Sequence, residues 1–98
     1  MAGDTLSRAI VEYLAKGRSA FPKADEAAVV ALAGAEAADV LARVRAIVDE
    51  MMAIEVDWSV STLAEGGRKA HAQMADRHPE LSDDALAALY WAFTYNAR

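Results

Sequence analysis

The clearest hydrophobic pattern in the chain lies in its middle third, where large apolar residues recur at alternating spacings. The residues of this seam are Val40, Val44, Ile47, Met51 and Ile54. Spacings of 4, 3, 4 and 3 return to one face of an α-helix, and Leu41 and Val48 widen that face to one side. The pattern predicts one long helix over residues 36–54 that lies at the centre of the fold.

Two shorter helices are predicted before the seam. Asp4 is a suitable N-cap for the first helix, and Gly17 can take the left-handed conformation that ends it. Proline is favoured at the first position of a helix, so Pro22 predicts the start of a second helix over residues 22–33, which ends at Gly34. The apolar stripe of the first helix consists of Leu6, Ile10, Tyr13 and Leu14.

A capping box predicts the start of the next helix. Thr62 stands three positions before Glu65, the spacing at which the two side chains can each bind the other's backbone N–H. The predicted helix runs to about Arg77 and carries Gly66 and Gly67 in its first turns. Each glycine destabilises a helix by roughly 1 kcal/mol relative to alanine, so the pair indicates either a place where another backbone approaches closely or a helix that begins only at Arg68.

The last helix is predicted to begin after Ser82 as N-cap and to run to about Asn96. Between the long helix and the capping box, apolar and polar residues alternate over residues 55–61. A period of two is typical of extended chain, but no partner strand is available for a sheet. An extended connector and a continued helix both remain open for this segment.

The composition favours an all-α fold. The 98 residues include 24 alanines but only two prolines and five glycines. We therefore expect a single helical domain over residues 1–98, folded as a compact bundle of four or five helices. The absence of cysteine excludes disulfides, thiolate metal sites and a thiol nucleophile. No phosphate-binding loop or nucleophile motif is present, so we expect no cofactor and no catalysis.

The charge argues against two classes of partner. The net charge of −5 disfavours binding to nucleic acid and to anionic membranes. Residues 29–40 would loosely fit a helix-turn-helix, but the segment that would read bases carries Glu36 and Asp39 and no basic residue. The N-terminus has no signal-peptide pattern, and no apolar run is long enough to cross a bilayer. We expect a cytoplasmic protein with no nucleic-acid or membrane partner.

The last helix is apolar on two sides, which makes it the most informative candidate for function. Its core stripe leaves Trp91 and Tyr95 on roughly the opposite side, beside Ala88. Such a helix is either covered by its own chain or offers its second face to another chain, and both readings stay open. The predicted function is a small acidic protein-interaction module whose partner is itself, as a homodimer, or a basic protein. The partner-binding residues are predicted to be Trp91, Tyr95, Ala88 and Trp58.

A different class of function rests on the two histidines. His71 and His78 are seven residues apart and would share a helix face. With nearby carboxylates they would form a metal- or ligand-binding, hydrolase-like site. Chelating pairs usually stand three or four residues apart, so this is the alternative to the interaction module, and no metal site is expected.

Overall fold

A computed structural model describes residues 3–97 of the chain. The regular secondary structure of these residues consists of helices, so the fold is all-α, as predicted. A single turn of 3₁₀ helix, Gly34–Glu36, lies between the second and third α-helices. The α-helices are α1 (Gly3–Leu14), α2 (Glu26–Ala33), α3 (Ala37–Met52), α4 (Leu63–Arg77) and α5 (Asp83–Asn96). The Cα radius of gyration is 13.1 Å, which matches the roughly 13 Å expected of a compact fold of about 100 residues.

The longest of the five is α3, and its apolar seam is buried as predicted. Val40, Val44, Ile47 and Met51 all lie in the core. Helix α3 begins at Ala37, after the 3₁₀ turn, and ends at Met52, so Ile54 lies beyond the helix and packs half-buried against the core. The seam is therefore a true buried stripe over its first four members.

The helices form one hydrophobic core, in which α3 packs chiefly on α2 and α1. Helix α4 packs mainly on α5, α5 packs on α1, and α1 packs on α2 and α3. Helix α3 touches α5 only lightly. The C-terminal helix is therefore supported chiefly by α1 and α4, and its buried side chains include Ala85, Ala88 and Ala92.

Gly17 takes the predicted left-handed conformation, with a φ of 88°, but α1 ends before it and α2 starts four residues later than predicted. Helix α1 ends at Leu14, and Ala15 takes a positive φ of 63°. The backbone N–H groups of Lys23 and Asp25 then donate to the carbonyls of Leu14 and Tyr13, at 3.0 and 2.8 Å. In a helix that began at Pro22, the Asp25 N–H would instead donate to a carbonyl of that same helix. Because it is bound to α1, α2 starts later, at Glu26.

The caps of the later helices follow the prediction. Thr62 and Glu65 form the capping box, with the Thr62 N–H donating to Glu65 Oε1 at 2.9 Å. Ser82 accepts a hydrogen bond from the backbone of Ala85 at 3.1 Å. The prediction for Asp4 as N-cap is wrong, because α1 already includes Gly3.

Candidate functional site

The connector between α3 and α4, residues 53–62, contains a tight turn that displays Trp58. The Val60 N–H donates to the Asp57 carbonyl at 3.2 Å and closes the turn. The Asp57 carboxylate accepts hydrogen bonds from the hydroxyl and the backbone N–H of Ser59, which lower the pKa of Asp57. The connector is thus extended chain with a local turn, the first of the two possibilities left open above.

The Trp58 ring stacks on Phe93 of α5, with ring centroids 6.2 Å apart and planes at 30°. Beneath it lies Gly66 of α4. A Cβ at Gly66 would stand 2.5 Å from Trp58 Cζ3 and 2.8 Å from Val56 Cγ1, closer than such atoms can approach. Gly67 performs the same role toward Thr94 of α5. The expected close approach at the glycine pair is real, but side chains rather than another backbone make it.

An open groove lies beside the indole, between the end of α3 and the last turn of α5. Its volume is about 170 Å³. Asn96 Nδ2 donates to Met52 Sδ across it, at 3.8 Å. The lining residues are Met52, Ile54, Trp58, Phe93, Asn96 and Ala97.

Three large apolar side chains are exposed within six residues of one another. Trp58 is 45 % exposed and Val60 is 75 % exposed. Leu63, in the first turn of α4, lies on the same helix face as Gly66 and is also exposed. We refer to Trp58, Val60 and Leu63, together with the groove, as the Trp58 surface.

Charged side chains of both signs border the Trp58 surface. Asp57 lies within electrostatic reach of Lys69, whose ammonium group donates to Ser61 Oγ at 3.4 Å. Hydrogen bonds from Thr62 lower the pKa of Glu65, with smaller contributions from the charges of Arg68 and Lys69. The border is therefore mixed in charge rather than uniformly acidic.

The four residues predicted to bind a partner do not form one surface. Ala88 is fully buried in the chain's own core, so no partner can reach it in this fold. Trp91 packs half-buried against that core, and Tyr95 is exposed. Tyr95 follows Phe93 by two positions, about 200° around the helix, so it faces away from the Trp58 surface.

Sequence reasoning missed the groove and two of the exposed side chains. Val60 and Leu63 belong to a connector and a first helical turn, which carry no helical periodicity of their own. The alternation of Val56, Trp58 and Val60 was the available signal, together with Gly66 at a position where a side chain could pack. Neither signal identifies Phe93 as the packing partner, because that contact joins distant parts of the chain.

The two histidines have different neighbours. His71 meets the ring of Tyr90 edge-on, at 6.4 Å between centroids. His78 lies between Glu50 and Glu80, with Nε2 3.0 Å from Glu50 and Nδ1 3.4 Å from Glu80. Because these carboxylates approach opposite ring nitrogens, one ion could not be bound by the ring and both carboxylates. Over residues 3–97, no three potential ligands are arranged to hold a metal.

A second depression, of about 140 Å³, lies between α1 and the start of α5. Ser7 is buried there and accepts a hydrogen bond from the Ser82 N–H at 2.9 Å, while Ser82 caps α5. Both hydroxyls therefore join helices together. The lining residues are Ser7, Arg8, Val11, Glu12, Ser82 and Asp84.

Comparisons with protein-family models, with curated proteins and with solved structures find no match to this chain. Within residues 3–97, no helix has both the length and the apolar character needed to cross a membrane.

Proposed function

We propose that this chain is a small protein-interaction module that self-associates through the Trp58 surface. The observation that carries the proposal is the exposure of Trp58 and Val60 on a turn beside an open groove. Tryptophan is among the residues that contribute most to binding energy at interfaces. The proposed interface differs from the one expected on α5, because Tyr95 faces away from the groove.

The connector holds Trp58 in a defined position before any partner arrives. Phe93 packs against the indole ring, and Gly66, which has no side chain, leaves room for the part of the ring nearest α4. A pre-positioned aromatic side chain loses little conformational freedom on binding. In a two-fold symmetric dimer the same patch is used by both copies, so Trp58 of each protomer would be covered by the other's Trp58 surface.

The mixed border favours a second copy over a basic partner. Asp57 and Glu65 lie near Arg68 and Lys69, so a patch of this kind can complement itself when rotated. A strongly basic partner would be matched better by a uniformly acidic border. The net charge of −5 on each copy opposes self-association at low ionic strength, and salt screens that repulsion.

Light scattering over a dilution series tests the proposal. The native chain is expected to pass from dimer to monomer on dilution, and Trp58→Ala is expected to be monomeric at every concentration. Phe21→Ala is the matched control, because Phe21 is 49 % exposed on a different connector; it should dimerise like the native chain. Circular dichroism checks that both variants fold.

Salt distinguishes the two kinds of partner. Self-association through an apolar patch between like-charged copies should strengthen as salt rises. Capture of a basic protein by charge should weaken. A native chain that is monomeric at all concentrations and salt levels, or a Trp58→Ala variant that dimerises normally, overturns the proposal.

A further inference from the structure

Of the methionines within residues 3–97, Met52 is the one that lies at the open groove. It is the last residue of α3, is half-buried, and lines the groove beside Trp58. Its sulfur accepts from Asn96 Nδ2 at 3.8 Å, in a contact that is exposed to solvent. Met51 and Met74 are fully buried in the core. The fold therefore encloses Met51 and leaves its immediate neighbour accessible.

The Met52 thioether can take an oxygen atom from a hydroperoxide. The sulfur attacks the outer peroxide oxygen, so an S–O bond forms as the O–O bond breaks. The proton of the transferred oxygen passes to the leaving oxygen, which departs as water from hydrogen peroxide or as an alcohol from an organic hydroperoxide. The sulfur is oxidised by two electrons to a sulfoxide, and the peroxide is reduced by the same two electrons.

A sulfoxide at position 52 changes what the groove presents to a partner. The side chain becomes polar, and its oxygen accepts hydrogen bonds more strongly than the weakly accepting thioether sulfur. Asn96 Nδ2 already contacts the sulfur, so it can donate to the new oxygen and keep that oxygen at the groove. When a second copy covers the groove, the oxygen has to be removed from water, which opposes binding.

We propose that Met52 is the first methionine of residues 3–97 that hydroperoxides oxidise, and that its sulfoxide weakens self-association through the Trp58 surface. The first half depends on the burial of Met51 and Met74 and on the open groove beside Met52. The second half rests on the function proposed above. Because such coupling acts in both directions, a second copy that covers the groove also slows the oxidation of Met52.

Dilute hydrogen peroxide, followed by peptide mass mapping over time, tests the site in samples dilute enough to be monomeric. Fragmentation of the peptides distinguishes Met51 from Met52. Oxidation of a buried methionine requires local opening of the fold, so Met52 should react at least about tenfold faster than Met51 or Met74. In urea, Met51 and Met52 should react alike, because they are neighbours in the sequence. Similar rates for the two in the folded chain overturn the assignment.

Light scattering of the chain oxidised at Met52 tests the effect on association. Burial of a polar group with incomplete hydrogen bonding should raise the concentration at the dimer–monomer midpoint by about tenfold. Met52→Gln places a polar amide there without any oxidant and should raise the midpoint as well. Met52→Leu cannot form a sulfoxide, so peroxide should leave its midpoint unchanged, whatever that midpoint is. Circular dichroism checks that each sample is folded.

The two halves of the proposal fail in different ways. A native chain that is monomeric at every concentration overturns the proposed function and the effect on association, while the rates at Met52 and Met51 still decide the site. Selective oxidation of Met52 with an unchanged midpoint overturns the effect on association alone. Oxidation of Met52 at the same rate in monomeric and dimeric samples shows that the dimer leaves the groove uncovered, which also overturns that effect.

Discussion

The two longest connectors of this fold are held in place by opposite means. In the connector of residues 15–25, the N–H groups of Lys23 and Asp25 bind the last carbonyls of α1, and Arg18 donates to the Glu12 carbonyl at 2.7 Å. In residues 53–62, the Val60 hydrogen bond closes a turn within the connector itself, and the indole of Trp58 supplies the packing contact with α5.

Each connector carries one exposed aromatic side chain, and the comparison shows what each contributes. Phe21 lies on a backbone that is already fixed by hydrogen bonds, with the ammonium group of Lys23 5.6 Å from its ring centroid. Trp58 instead packs on Phe93 and, with Ile54 and Val56, holds its connector against the core. Similar exposure therefore conceals different roles.

Truncating the two aromatic side chains should give the largest difference. Trp→Ala substitutions at fully buried positions lower the free energy of unfolding by about 3–5 kcal/mol, and Trp58 is about half buried. Trp58→Ala should therefore lower the free energy of unfolding by about 1–2 kcal/mol, while Phe21→Ala should change it by less than about 0.5 kcal/mol. Urea unfolding at a concentration where both variants are monomeric measures this. Equal losses would remove the distinction between the connectors.

Alanine at the glycine pair should separate the connector from the helix packing beneath it. Gly67→Ala places a Cβ 2.5 Å from Thr94 Cγ2 and 2.7 Å from Tyr90 Cε2, between two helices that cannot easily move apart. Overpacking costs about 1–3 kcal/mol and the gain in helix propensity offsets about 1 kcal/mol, so we expect a net loss of up to about 2 kcal/mol.

Gly66→Ala should behave differently, because its Cβ meets the side chains of the movable connector. Stability should change little, while Trp58 is displaced from Phe93. A Trp91→Phe background isolates the fluorescence of Trp58, whose emission should shift to the red. An unchanged emission, or a loss of stability as large as that of Gly67→Ala, would contradict this expectation, because residues 53–62 would then be unable to shift.

The two connector aspartates should differ by a smaller amount. Asp25 accepts from the Ala28 N–H as N-cap of α2 and also contacts Arg18, so Asp25→Ala should cost about 1 kcal/mol. Asp57 supports a surface turn only, so Asp57→Ala should lower the free energy of unfolding by less than Asp25→Ala does. Thermal unfolding of the two variants gives the comparison, and the reverse order would contradict it.

Acid should loosen the Trp58 turn selectively, as the smallest of these effects. Hydrogen bonds from Ser59 lower the pKa of Asp57 below its ordinary value of 3.8. The stabilisation is thus present above that value and is lost as pH falls through the lower, folded-state pKa. In the Trp91→Phe background, Trp58 emission should change as the pH falls below about 4. Asp57→Asn, which still accepts hydrogen bonds, should not show this change.

Local signals predicted much of the fold because their causes are local. The capping box of Thr62 and Glu65, the Ser82 cap and the buried seam of α3 each depend on spacing within one helix. The end of α1 was mispredicted because Lys23 and Asp25, which lie beyond the helix, bind its carbonyls. Such contacts leave no periodic pattern in the sequence.

The candidate surface was predicted only in part, for a related reason. Trp58 was selected as a residue type suited to interfaces, but its support by Phe93 depends on how α5 packs against the connector. Ala88 was placed on the outer side of α5, whereas the packing of the helices buries it completely. Helix periodicity indicates which residues share a side but not which neighbour covers that side.

The environment of Trp58 as a function of protein concentration tests the central proposal most directly. A fluorinated tryptophan in the Trp91→Phe background reports position 58 alone by ¹⁹F NMR. We predict that its signal moves between two environments on dilution, with the same midpoint as the change in mass. A signal that stays unchanged across the full concentration range would contradict self-association through the Trp58 surface.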